Sequence, residues 1–173
     1  ADVTNNMIFE KYCYSNNINT SNQYGGYYDW NELMNYKINE GSQGLCPTGW
    51  HVPSHDEFQI LISNASNSSN ALKIVGEGIA PNGLGNNSTG FSAKHTGDRG
   101  SLGDFNGANF VSTFWTSSQT APDMARHVYM VAENDSIKKA EAKNFYKNKD
   151  KELPEYDSIV YHKFKNQKFQ SHL

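Results

Sequence analysis

The sequence predicts an α+β domain: a small twisted antiparallel sheet, two short helices and a long glycine-rich loop region. Three observations carry that expectation. Ser54-x-x-Glu57 opens an apolar stretch as a capping box, the hydroxyl taking the amide of the third helical residue while the carboxylate reaches back to the cap amide. Nine of the fourteen glycines lie between Gly76 and Gly107, and none follows; that density excludes long helices and strands there. Val128, Met130 and Ala132 alternate with His127, Tyr129 and Val131, the period of two expected of a strand.

Taken in order, residues 1–28 are polar, with aromatics around the turn Tyr24-Gly25-Gly26. Asp29 to Tyr36 is predicted as a short helix: Trp30, Leu33 and Met34 share one face, and Asp29-x-x-Glu32 repeats the capping arrangement. The second helix runs from Ser54 to about Ser63 and buries Phe58, Leu61 and Ile62, with Pro53 and Phe58 at the positions of a hydrophobic staple. An Asn/Ser stretch at 64–70 ends it, and 71–75 is a short apolar element of undetermined type. In the glycine-rich region Phe91, Phe105 and Phe110 pin the chain to a core, since long irregular loops are otherwise functional or disordered. Strands are expected at Val111–Ser118 and Arg126–Ala132. Residues 133–157 hold six Lys and seven acidic residues without a hydrophobic period, which predicts an inserted, exposed arm, helical in part at 138–147. Strand character resumes at 157–161, and Phe164, Lys168 and Phe169 fit a closing strand pair.

With 173 residues the chain is expected to be one domain, 1–173, with a real core. Its net charge of −3 argues against a nucleic-acid partner. No run has the length of a membrane-spanning helix, and no signal peptide precedes Ala1. The expectation is a chain that begins after processing or partway into a longer protein, with membrane contact only through a segment outside it. The 21 Asn, with abundant Tyr, Ser and Gly, suit an extracellular or cell-surface protein; an AT-rich genome produces the same bias.

Several ordered motifs resemble one family. The string Cys46-Pro47-Thr48-Gly49-Trp50-His51-Val52-Pro53-Ser54 through Phe58 is similar to the central motif of the Fibrobacter succinogenes major paralogous domain, a secreted bacterial module related to the C-type-lectin-like fold. Glu10-Lys11-Tyr12-Cys13-Tyr14 and Tyr24 through Met34 resemble its opening segment. Thr89-Gly90-Phe91-Ser92-Ala93, Gly97-Asp98-Arg99, Gly103-Asp104-Phe105 and Phe114-Trp115-Thr116-Ser117-Ser118 resemble its glycine-rich half, in order. The resemblance covers roughly residues 8–132 and resumes weakly at the end. It implies a C-type-lectin-like fold, and it marks Arg99 and Asp104 as polar fixtures of the loop region. It also implies that a cysteine at the place of Cys13 pairs with one eight residues on, where this chain has Ser21. The place of Cys46 pairs with an Arg-Cys near the C-terminus, where this chain reads Ser171-His172-Leu173. Two alternatives stay open: Cys13 pairs with Cys46, or each lacks its partner.

The chemistry-bearing residues point away from catalysis. His51 and His55 have a metal-like spacing, but Pro53 between them prevents a shared helical face, so no metal site is expected. A lectin-type calcium site needs hard oxygen ligands; Ala80-Pro81-Asn82 and Ala121-Pro122-Asp123 each lack the first. No nucleophile elbow or P-loop occurs, nothing after Cys46 supplies the late cysteines of the related formylglycine-generating enzymes, and no cofactor is expected. Trp30, Trp50 and Trp115 fall inside the shared motifs and are expected in the core rather than on a ligand platform. The expected function is non-enzymatic recognition or adhesion, binding glycan or protein through Arg99, Asp104, Arg126, His127 and Tyr129. The alternative is a structural subunit of a surface filament or pilus-like assembly, self-associating through the arm 133–157 and the terminal strands.

Overall fold

The structure is a computed structural model and describes residues 10–100, 102–143 and 159–161. In chain order it holds α1 (Ser21–Tyr24), β1 (Gly26–Tyr28), α2 (Trp30–Leu33), α3 (His55–Asn64), α4 (Ser69–Leu72), β2 (Asp98–Arg99), β3 (Phe105–Asn106), β4 (Val111–Ala121), β5 (Met124–Val131), β6 (Ile137–Lys143) and β7 (Ile159–Tyr161). The strands form one three-stranded antiparallel sheet, β4-β5-β6, and two antiparallel pairs, β1-β7 and β2-β3. This is a small α+β domain of short helices and small antiparallel sheets.

The register of the central sheet explains the core. Phe114 stands opposite Val128 and Ser112 opposite Met130, while Trp115 stands opposite His127. Because side chains alternate between faces, the first set meets Phe58 and Ile62 of α3 with Leu72 and Phe91. The second turns Trp115, with Ala125 and Ala142, onto Trp30, Leu33, Met34, Cys46 and Val52. Both faces of the sheet are therefore covered. Trp30 and Trp115 are buried as expected, and Trp50 is half-buried at the edge of the second cluster.

The predicted capping box of α3 is complete: Glu57 N donates to Ser54 Oγ at 3.1 Å and Ser54 N to Glu57 Oε2 at 2.7 Å. His51 Nε2 lies 2.8 Å from Glu57 Oε1, so this histidine clamps the cap. The start of α3 is stitched to β4, with Ser117 N donating to Pro53 O and His55 N to Ser118 Oγ. Trp30 Nε1 donates to Thr116 O at 2.7 Å. At α2 the Asp29 side chain makes no cap hydrogen bond; Glu32 instead accepts from the backbone of Glu10 and of Asp29.

The expected arm departs from its prediction. Its first part is not helical at 138–143 but forms β6, pairing with β5 from Met130↔Ile137 to Met124↔Lys143. The reason is tertiary: pairing satisfies the outer backbone edge of β5, and that outweighs the weak local helical preference of a Lys/Glu/Ala run. Lys138, Lys139 and Glu141 stay exposed while Ala142 is buried. The turn that leads in is held by Asp135, whose Oδ1 accepts from Asn70 N at 2.6 Å and Ser68 Oγ at 2.8 Å. The rest of the expected arm, 144–157, and Phe164, Lys168 and Phe169 lie outside the described residues.

A buried cation, together with backbone bonds such as Ile79 N to Ala132 O and Gly97 N to Val111 O, ties the glycine-rich region to this sheet. Lys73, fully buried, donates from Nζ to Gly83 O at 2.8 Å, Asn134 O at 2.9 Å and Val131 O at 3.1 Å. The loop passes so close to the end of β5 that a Cβ on Gly83 would lie 1.8 Å from Ala132 O.

Of the two alternatives for the cysteines, the Cys13–Cys46 disulfide is overturned. Both side chains are buried thiols: Cys46 packs in the Trp30 cluster, whereas the Cys13 Sγ lies against Ser21 Oγ. Ser21 is the position at which the family resemblance implies a second cysteine. Ser21→Cys is therefore expected to oxidise with Cys13 and raise stability by about 2–3 kcal/mol, in the range of short-loop crosslinks. Thiol titration and a denaturant melt with and without reductant check this; a variant that keeps three alkylatable thiols contradicts the contact.

Candidate functional site

Glu10-x-Tyr12-x-Tyr14 runs beside β1, with Tyr12 and Tyr27 exchanging backbone hydrogen bonds at 3.0 Å. This places Tyr12 under the β2-β3 hairpin. The Arg99 guanidinium lies over the Tyr12 ring, 3.8 Å from its centroid, and 5.8 Å from that of Phe105, within the range of cation–π attraction. Arg99 is only 8% exposed, yet among the described residues its Nε and Nη1 have no hydrogen-bond partner and no ion pair reaches it. Buried donors in native proteins are nearly always satisfied, so this one requires an explanation.

Aromatic rings continue from the charge toward the surface. Phe105 is 5.4 Å from both Tyr14 and Tyr27, and Tyr14 is 5.0 Å from Tyr24. Tyr14, Tyr24 and Phe105 are half-buried, whereas Tyr27 is fully buried and donates to Thr96 O at 2.7 Å. Asp104 is exposed and accepts from Asn106 Nδ2. Asp98 Oδ1 is buried and has no hydrogen-bond partner among the described residues; burial first, and Asp104 second, push its carboxyl up to about 6.

Below the platform a polar chain leads inward. Tyr12 Oη donates to Glu10 Oε2 at 2.6 Å, and Glu10 N to Glu32 Oε1 at 2.9 Å. Burial raises the Tyr12 hydroxyl far above the ordinary phenol value, helped by the Glu10 hydrogen bond. Glu32 is 6% exposed, with Oε2 lacking a hydrogen-bond partner among the described residues, and its desolvation outweighs the backbone hydrogen bonds, bringing its carboxyl to about 7.

The sequence-derived candidates fall into two places. Arg99 and Asp104 share the hairpin. Arg126, His127 and Tyr129 lie on β5, the middle strand. His127 is buried edge-to-face against Trp115 at 5.7 Å, and burial lowers its imidazole to about 4. Tyr129 follows it at 6.0 Å, half-buried. Arg126 faces the other side, 3.7 Å from Glu141 on β6. Tyr12, Tyr14, Tyr24 and Glu10 were missed as site residues, although the aromatic spacing of Tyr12-x-Tyr14 beside Tyr24-Gly25-Gly26 was the available signal. Among the described residues no group of three or more His, Cys, Asp or Glu side chains could hold a metal ion.

A family model described as the Fibrobacter succinogenes major domain matches residues 3–167. No curated protein and no solved structure matches the chain.

Glu32 supplies a pH test of this arrangement. A carboxyl raised from 4.5 to about 7 contributes stability that is present below its unfolded value and lost as pH rises through its folded one. Between pH 4.5 and 7.5 the wild-type chain should lose on the order of 2–3 kcal/mol relative to Glu32→Gln, which does not titrate. Paired denaturant melts across that window check it; parallel curves contradict it.

Proposed function

The chain belongs to the Fibrobacter succinogenes major domain family, and from that premise we propose that it is a non-enzymatic recognition module of the cell surface or exterior, binding glycan or protein. The observation that carries this reading is Arg99: a buried guanidinium laid on Tyr12 beside half-exposed rings, with no ion pair and with Nε and Nη1 lacking hydrogen-bond partners among the described residues. Aromatic area with few, fixed polar groups is the usual composition of a ligand-binding surface. The neutral-polar composition of the chain supports an exterior location.

The same reading takes the arrangement as C-type-lectin-like. What supports it is the pairing of β1 with β7, far apart in sequence, and the irregular segment 73–110 between α4 and β4, with only β2 and β3 as regular structure. A filament subunit is the less favoured reading. The outer edge of β6 carries Lys138, Lys139 and Glu141, and charged edge strands resist strand addition by a second chain.

A panel of immobilised polysaccharides and proteins, probed with the purified chain, tests the proposal. Saturable binding is expected, weakened about tenfold by Tyr14→Ala, equivalent to about 1.4 kcal/mol, with a discrete monomer in light scattering. Concentration-dependent polymers together with no ligand on the panel would contradict recognition and favour the subunit.

A further inference from the structure

We infer that Asn106-Gly107 is a self-modification site, at which the chain converts the Asn106 amide to a carboxylate and adds a negative charge to the hairpin that carries Arg99. The conversion needs only water and stands independently of the recognition reading above.

The chemistry needs an asparagine followed by a residue whose amide nitrogen is unhindered. The Gly107 N–H gives up its proton to hydroxide, and the nitrogen attacks Asn106 Cγ. A C–N bond forms there, the bond from Cγ to Nδ2 breaks, and the side-chain nitrogen leaves as ammonia, taking a proton from water. Water then opens the cyclic imide at either carbonyl. The product is aspartate or, with the main chain rerouted through Cγ, isoaspartate.

The chain contains the Asn-Gly dipeptide twice, and the fold treats the two copies differently. Asn82 is exposed, but Gly83 is buried. Its N donates to Ile79 O at 2.8 Å and its O accepts from Lys73 Nζ at 2.8 Å, so the attacking nitrogen is occupied and the peptide is clamped. At the second copy both Asn106 and Gly107 are exposed. Strand β3 ends at Asn106, which leaves the linking peptide outside the β2-β3 ladder, and Gly107 N donates no hydrogen bond among the described residues. Gly107 has φ +67°, a left-handed conformation that favours glycine, so the turn itself demands the unhindered residue.

Conversion alters the hairpin. Asn106 Nδ2 donates to Asp104 Oδ2; an acid at position 106 removes that donor and sets two carboxylates against each other. The isoaspartyl form also lengthens the main chain at the residue paired with Asp98.

Peptide mapping by mass spectrometry tests this on the whole chain, incubated native and in denaturant at mildly alkaline pH. In denaturant the two dipeptides should convert at similar rates. In the native chain Asn106 should convert at least about tenfold faster than Asn82, which must first break the Gly83 N hydrogen bond. Asn106→Gln, whose amide would have to close a larger ring, should stay unconverted over the same time. Anion exchange separates the converted chain by its added charge. In that fraction the amide of Gly100, which donates to Asp104 O at 2.8 Å, should lose protection from hydrogen exchange. Equal native rates at Asn106 and Asn82, or conversion of Asn106 in denaturant alone, overturns the self-modification site. Unchanged protection of Gly100 overturns its effect on the hairpin.

Discussion

The Lys73 ammonium holds the rest of this structure together. A lysine is seldom buried, because removing its charge from water is strongly unfavourable unless the ammonium is fully hydrogen-bonded. Here three backbone carbonyls, from the glycine-rich loop, the end of β5 and the β5–β6 turn, replace its water. Desolvation lowers its pKa, and Asp135 and Glu77 partly restore it. The arrangement answers a problem set by the sequence. A loop with nine glycines has a large conformational entropy to lose and few side chains to bury. One internal cation that takes carbonyls from three segments at once supplies what regular hydrogen bonding does not.

From that tie the order of the remaining parts follows. With the loop fixed at Gly83 and the β5–β6 turn at Asn134, β6 is delivered to the edge of β5, and both faces of the sheet are covered. Glu77 Oε1 accepts from His95 N at 2.7 Å, and Gly97 bridges to Ser112 of β4, so the segment leading into the β2-β3 hairpin is anchored on both sides. The hairpin then has a rigid base from which Arg99 reaches over Tyr12. The buried cation of the site, with Nε and Nη1 lacking hydrogen-bond partners among the described residues, sits on this anchored base.

Much of the framework was legible in the sequence because it is local. The Ser54/Glu57 box, the Trp30-Leu33-Met34 face and the alternation from His127 to Ala132 depend on residues within a turn or two of one another. What was not legible depends on distant partners. The segment 138–143 reads as a charged helix until β5 offers it an edge. Lys73 reads as one residue of an apolar run, since nothing local announces that carbonyls 10 to 61 positions away converge on it. Glu32 reads as the partner of an Asp29 cap, yet Glu10, 22 residues upstream, also donates to it. At the site, Arg99 and Asp104 were picked out, but their aromatic setting was not, because Tyr12 and Phe105 meet only through the pairing of β1 with the opening segment. The cysteines illustrate the same limit: the resemblance placed Ser21 beside Cys13, but that the two thiols are not joined to each other is visible only in three dimensions.

The dependence of the loop on Lys73 is most directly tested by hydrogen–deuterium exchange on Lys73→Met, which keeps the side-chain volume and removes the charge. Taking the ammonium away from three carbonyls, of which Asn134 O keeps Ser69 Oγ as a donor, should cost about 2–4 kcal/mol in total. The account predicts that the effect is concentrated in the loop: amides of Gly76, Ile79, Gly83 and Gly85, each hydrogen-bonded in the native chain, should lose protection by at least a hundredfold. Amides pairing β4 with β5 should lose much less. Unchanged protection of those four amides, or an equal loss across loop and sheet, would contradict the claim that this buried ammonium orders the glycine-rich region.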